Sequence, residues 1–560
     1  MNMNQTWIRT AAIVTALLGV GACDLKVQNP NSPETARVLA SPADVESLIG
    51  TYYKRWHSAL WSGTGSVVLM GMVQSFEDFS SLSNNCMGQR VTIPRPPNDN
   101  SIGNGCASEQ LAVYRVENEV VRVASSVLAT LNKPGFTLGS TARDNRAKAY
   151  SQFLRGVALG YLALVYDSSA VVDETTGAED PGELKGYVDV GAAAMDALQK
   201  SIDFANAPST GGSGFPLPAD WIPSTTSLTQ TEFIRLVRSY RARIRANIPR
   251  TPAQRAAVDW TAVIADAQAG FTVNHDNITN TVSGPFNGVV NQLYSYGTWH
   301  QMTPFIAGMA DTSGAYSAWI AKPLDARGAD APFTLATPDQ RWPQGSTRAQ
   351  QQADFALAQC NGASQVCKRY FVNRPAANDP PSSPTWGLSN YDHARFWSWR
   401  TAGDATARNG KLVFFTVAEL NMLEAEGHIQ KSNFTAAAAL INKTRVANGL
   451  PPITAFDGTS PVPGGNACVP KVPVGPSFNT VACGNMMEAM KWEKRNEEAY
   501  TGYMAWFLDG RGWGDLPTGT PLHWAPPYQD LQARGRTGAQ IYSVGGGSLP
   551  ASAAKGTYGF

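Results

Sequence analysis

Cys23 closes the run Leu17-Leu18-Gly19-Val20-Gly21-Ala22-Cys23. A thiol directly behind a short apolar stretch, with small residues before it, is placed for acylation. Six further cysteines, Cys86, Cys106, Cys360, Cys367, Cys468 and Cys483, fall as three pairs of near neighbours. Short loops close at the least entropic cost, so among the pairings that six cysteines allow the favoured ones are Cys86–Cys106, Cys360–Cys367 and Cys468–Cys483. Disulfides require an oxidising compartment. Each of these would pin a loop rich in Gly, Pro and Asn, stabilising it by roughly 2–4 kcal/mol on the chain-entropy account. Zinc is the competing chemistry, but no CxxC pair and no histidine partner stands at ligand spacing.

Other reactive constellations are weak. The histidines, His57, His275, His300, His393, His428 and His523, are scattered, and the chain holds no GxSxG, HExxH, Walker or EF-hand pattern. A glycosidase needs two carboxylates about 5–9.5 Å apart, a condition that spacing in sequence does not test. Asp325-Ala326-Arg327 and Asp339-Gln340-Arg341 have the composition of ion-paired turns. We therefore expect no catalytic residue, no metal site and no cofactor.

The residues ahead of Cys23 have the layout of a secretory signal: Arg9 as the positive charge, residues 11–20 as the apolar segment, then small residues. An apolar segment of about ten residues is too short to span a bilayer, which takes roughly 20 in a helix. The layout resembles the bacterial lipoprotein signal, whose terminal cysteine is acylated and becomes the first residue of the mature chain. Several acyl chains on one residue hold a protein on a membrane, since each buried methylene contributes about 0.8 kcal/mol and one chain alone is marginal. This predicts a signal peptide over residues 1–22 and a lipid-anchored tether over 23–40.

At 560 residues the chain can bury a large core. Its 45 basic and 44 acidic residues nearly cancel, so bulk charge argues against nucleic acid and against electrostatic membrane binding. Charged residues make up 16% while Gly (51), Pro (36) and Trp (15) are plentiful. Such a mixture suits a secreted protein with long loops and aromatic surfaces for neutral ligands.

These groups must be carried by helices, because amphipathic helical patterns recur along the chain. Ser41-Pro42-Ala43-Asp44 is a helix start, with a capping serine and a proline at the first helical position. Helical spacing then covers residues 41–61, 107–131, 144–166, 188–205, 233–247, 252–271, 415–430 and 434–448. The last is closed by Gly449 and Pro451-Pro452. Pairs with small residues at their crossings resemble degenerate tetratricopeptide repeats. Between 272 and 410 the helical period is lost in Gly, Pro, Asn, Thr and aromatics, which predicts loops, short helices and small strand pairs. The expected fold is mostly α, with an N-terminal helical scaffold over 41–271, a loop-rich and aromatic-rich insertion over 272–410, and a C-terminal helix pair and segment over 411–560.

Three stretches resemble the SusD/RagB family of nutrient-uptake outer-membrane lipoproteins. The first is Cys23-Asp24-Leu25 with Asn29-Pro30-Asn31 and the helix from Ser41. The second is Phe415-Thr416-Val417-Ala418-Glu419-Leu420 through Glu426, with the helix and prolines after it. The third is Glu493-Lys494-Arg495-Asn496-Glu497-Glu498 to Gly502, then Asp509, Arg511, Trp513 and Gly514, similar to the C-terminal signature of that family. Met504-Ala505-Trp506-Phe507 and Pro526-Pro527-Tyr528-Gln529 depart from its pattern, which marks a divergent branch. Glu493, Arg495, Glu497, Asp509 and Arg511 can form bidentate carboxylate–guanidinium contacts, so we read this third stretch as structural.

The resemblance implies binding without turnover: a surface lipoprotein that captures a glycan or other oligomeric nutrient and hands it to a SusC-like TonB-dependent outer-membrane transporter. A sugar binder needs aromatic platforms flanked by polar side chains. The placement of ligand contacts in the family directs attention to Asp78, Asn84 and Arg90 in the early loop and to Tyr296, Trp299 and Trp319 in the insertion. The alternatives are an oligopeptide-binding relative and a tetratricopeptide-like lipoprotein that scaffolds envelope proteins.

Overall fold

The computed structural model describes residues 39–61, 67–80, 86, 90–224, 226–279, 300–327, 333–357, 369–373, 389–393, 410–501, 504–538, 551–552 and 555–560. Cys23, the signal segment and the Cys360–Cys367 pair lie outside them. Among the described residues there are sixteen α-helices: α1 (Pro42–Trp61), α2 (Val67–Gln74), α3 (Ser108–Leu131), α4 (Thr141–Val165), α5 (Tyr187–Asn206), α6 (Gln230–Asn247), α7 (Pro252–Ala256), α8 (Trp260–Gln268), α9 (Pro304–Ala307), α10 (Ala315–Ile320), α11 (Arg348–Leu357), α12 (Val417–Gln430), α13 (Phe434–Ala447), α14 (Met486–Glu498), α15 (Ala505–Trp513) and α16 (Tyr528–Ala533). Ten short strands pair as five antiparallel ladders: β1 (Phe79–Ser80) with β5 (His300–Gln301), β2 (Ser168–Ala170) with β3 (Leu184–Gly186), β4 (His275–Thr279) with β8 (Gly410–Phe415), β6 (Phe371–Asn373) with β7 (Tyr391–His393), and β9 (Lys471–Val474) with β10 (Thr480–Cys483). No helix among the described residues is long and apolar enough to cross a membrane.

Local chemistry sets the helix starts. Ser140 Oγ accepts from the amide of Arg143, Thr229 Oγ1 from Glu232, Thr416 Oγ1 from Glu419 and Asn485 Oδ1 from Glu488. The last three have the acidic residue three positions on that a capping arrangement favours. These caps put α4 and α6 three residues earlier than the apolar period alone predicts. The run expected as one helix over 252–271 is two, because Asp259 turns the chain and caps a new start by accepting from the amide of Ala262. That turn also lets the Trp260 indole donate to the Arg255 carbonyl at 3.0 Å.

The scaffold helices pack in succession, α1 on α3, α3 on α4, α4 on α5, α5 on α6, α6 on α8 and α8 on α12, with α12 against α13 and α14. Helix α4 is central and is buried continuously from Ala149 to Val165. Two glycines permit its close approaches: a Cβ on Gly156 would stand 2.7 Å from Leu198 Cγ, and one on Gly160 2.5 Å from Ile244 Cδ1. The carbonyls at the end of α4 are taken up by the Arg250 guanidinium, which donates to Ala163, Leu164 and Tyr166.

Helices α12 to α14 enclose a second, smaller core of Met422, Ala425, Ala438, Ile441, Met490 and Trp513. Cys468, itself fully buried there, is bonded to Cys483, and Cys86 is bonded to Cys106 ahead of α3. The Cys468–Cys483 bridge spans 15 residues. Replacing both cysteines by alanine should lower stability by about 3 kcal/mol, read as a shift of the denaturant midpoint at constant slope. An unchanged midpoint would mean that the small core holds this loop without the bond.

Candidate ligand-binding site

The early loop and the middle insertion, far apart in sequence, meet backbone to backbone. Phe79 pairs with Gln301 and Ser80 with His300. Strands β4 and β8 pair antiparallel at the two ends of the stretch that lacks a helical period, with His275 opposite Phe415 and Thr279 opposite Gly410. Inside it, Asp311 organises the backbone: Oδ1 accepts from the amides of Ser313 and Ala336, and Oδ2 from those of Gly314 and Tyr316.

Of the side chains expected to face a ligand, Asp78, Arg90 and Trp319 are interior. Trp319 packs its ring at 5.0 Å from Phe305, 6.1 Å from Tyr316 and 6.0 Å from Phe333, and its Nε1 donates to the Arg327 carbonyl. It covers Phe305, which also clusters with Phe76 from the early loop and Phe560 from the C-terminal end, the three rings in mutual contact. Asp78 is fully buried beside Glu77, whose carboxylate accepts from the Tyr500 amide while the Tyr500 hydroxyl donates to the Glu77 carbonyl. Arg90 is buried with Glu109 and Asp99 as its charge partners. Burial raises the Glu109 carboxyl to about 7 against the pull of Arg90. The cause differs: Tyr500 closes on Glu77, beside Asp78, from 423 positions away, whereas Arg90 and Trp319 are enclosed by residues of their own stretches of chain. Asn84, Tyr296 and Trp299 lie outside the described residues.

Helix α14 carries the third sequence stretch and is a hub of buried charge. Arg341 forks onto Asp339 at 2.9 and 2.8 Å, and its Nη1 reaches Glu493 at 2.8 Å and Glu497 at 3.2 Å. Lys494 binds both Asp509 oxygens at 2.7 Å, Arg255 binds Asp509 and Glu426, and the Trp513 indole donates to Glu426. Arg495 pairs with Asp515 and donates to the Tyr558 hydroxyl. Arg511 departs from the expectation of a carboxylate partner: it donates to the carbonyls of Leu522 and Asn247. Burial, with Arg250 and Arg255 nearby, lowers its guanidinium well below the ordinary value.

Sequence reading missed Arg255, Lys494 and Tyr500 as parts of this frame. The signal available for Arg255 was a charged residue on an otherwise short, proline-started helix, which is ambiguous until Glu426 and Asp509 are brought to it. The buried histidines are framework too. His275, lowered to about 3 by burial and by Arg243, sits 3.3 Å from the Tyr53 hydroxyl. Among the described residues no group of three or more His, Cys, Asp or Glu gathers as a metal site.

No protein-family model matches this chain, and no curated protein matches it. Solved structures do. A SusD superfamily protein from Bacteroides thetaiotaomicron is 14% identical, with 88% of this chain and 96% of that chain covered at a TM-score of 0.51. One from Bacteroides vulgatus is 13% identical over 90% and 95%, with a TM-score of 0.48. A SusD-like carbohydrate binding protein from the same species is 13% identical over 86% of each chain, at 0.43. The fold of this chain is the SusD-like fold, an α-rich scaffold.

Proposed function

We propose, for a chain with the SusD-like fold, a role as a non-enzymatic cell-surface lipoprotein that captures an oligosaccharide and delivers it to a SusC-like TonB-dependent outer-membrane transporter. The observation that carries this reading is that fold, followed through nearly the whole described chain. Cys23 supports the anchor: it stands where acylation would leave residues 24–40 as a tether, letting a rigid helical body swing while the lipid keeps it local. The β1–β5 pairing supports the site, because it joins the two regions from which ligand contacts are expected. Asn84, Tyr296 and Trp299 flank those strands in sequence and are the contacts we propose. Sugar rings offer apolar C–H faces and peripheral hydroxyls, which an aromatic ring and an amide can match.

We assign residues 41–271 and 411–560 to one scaffold and 272–410 to a ligand-binding insertion that leaves and returns through β4 and β8. Calorimetry of the purified chain against an oligosaccharide panel should give saturable heat with the ligand recovered intact. Release of smaller products would overturn the binding role. A Cys23→Ala protein should fold with its disulfides, leave the membrane fraction and fail to support uptake; retention in the membrane would refute the anchor.

A further inference from the structure

A cleft of about 540 Å³ opens between α3, the connection from β2 to β3, and α16. It shares no lining residue with the β1–β5 region. Its walls are tied to one another. Arg534, the residue that ends α16, donates to the carbonyls of Pro181 at 3.1 Å and Gly182 at 2.6 Å, and Arg122 on α3 donates to that of Asp180. The Tyr114 hydroxyl reaches Asp530 at 3.3 Å.

The charges in the cleft do not cancel. Asp530 is matched by Arg534 at 2.9 Å as well as by Tyr114, and Glu179 on the rim is exposed to solvent. Arg115 and Arg122 stand seven residues apart on one face of α3, and among the described residues neither makes an ion pair. Between these polar groups lie Leu111, Val172 and Pro181. Two guanidiniums with no carboxylate partner among the described residues, Arg122 keeping further N–H groups beside the one given to Asp180, call for a carboxylate, and the apolar strip suits the C–H face of a ring.

We propose that this cleft is a separate subsite for an acidic sugar, a saccharide unit of the uronic acid class. The saccharide character rests on the reading above, while the carboxylate rests on the cleft alone. A pocket of this volume is within the range of small-ligand sites. Isothermal titration of the full chain at low salt with glucuronate, glucose and lactate tests it. Glucuronate should bind, with glucose and lactate at least about tenfold weaker, and binding should fall as salt rises. Arg115→Gln, at an exposed position, should weaken glucuronate about tenfold without moving Tm. Equal binding of glucose or lactate, no saturable heat from glucuronate at millimolar concentration, or an unaffected Arg115→Gln protein would each overturn the proposal. Failure of the transporter assignment, read separately by co-purification with an outer-membrane channel, would leave these titrations unchanged.

Discussion

Arg341→Met should destabilise the protein by about 3–5 kcal/mol, the usual cost of removing one partner from a buried ionic cluster. The Arg341 guanidinium is fully buried, and it touches Asp339, Glu493 and Glu497. Burial would lower its affinity for the proton, yet Asp339, Glu493 and Glu497 together hold it well above the ordinary arginine value. Methionine fills similar volume, so the loss is electrostatic and not a cavity. Arg445, 3.9 Å from Glu493, is the remaining cation of the cluster and cannot replace the fork onto Asp339.

Arg341→Lys should be intermediate, because an ammonium keeps the charge but cannot bridge a carboxylate in two places while reaching two more. Tryptophan fluorescence reports the event directly, since Trp342 stacks on Trp492 with centroids 6.2 Å apart, across the junction of the insertion and α14. A denaturant midpoint that does not move in Arg341→Met would show that this junction is held by ring packing alone.

The second large effect is one of pH. Glu77 is fully buried, and burial, with Asp78 adjacent, raises its carboxyl to about 8 against the opposing Tyr500 amide. In the unfolded chain this group has an ordinary value near 4.5. Below that value both states are protonated and Glu77 does not matter. Between about 4.5 and 8 only unfolding releases the proton, so stability falls as pH rises. Above about 8 the loss is complete, on the order of 4–5 kcal/mol for a difference of this size. Glu77→Gln keeps the acceptor for the Tyr500 amide and cannot ionise. Its stability should match the parent at pH 4 and exceed it by several kcal/mol at pH 8.5. Parallel pH profiles for the two proteins would sink the assignment.

Much of the scaffold was readable from short windows. The cap at Ser41 acts over three residues, and the apolar spacing of α3 to α6 needs only a few turns to be seen, although the caps at Ser140 and Thr229 that set the starts of α4 and α6 were overlooked. Cys86–Cys106 and Cys468–Cys483 were readable for the same reason, since each closes a short loop. The break between α7 and α8 was overlooked because the apolar period continues through Asp259 and only the cap ends it. The third stretch was read as structural from its mixture of acids and bases, but its partners were not, because Arg255 and Arg341 arrive from other segments.

Exposure was the quantity hidden from the sequence. Trp319 has the composition of a sugar platform, and the contact that turns it into core comes from Phe305, itself covered by Phe76 and Phe560. Glu77 reads as a loop carboxylate until Tyr500, 423 positions away, closes on it. Chain order alone was enough for most of the scaffold helices and for the Cys86–Cys106 and Cys468–Cys483 bridges, because loop closure and apolar runs are properties of neighbours. Which polar groups are dry, which rings are covered and which cleft stays open were settled by tertiary packing, because burial depends on what approaches from hundreds of residues away.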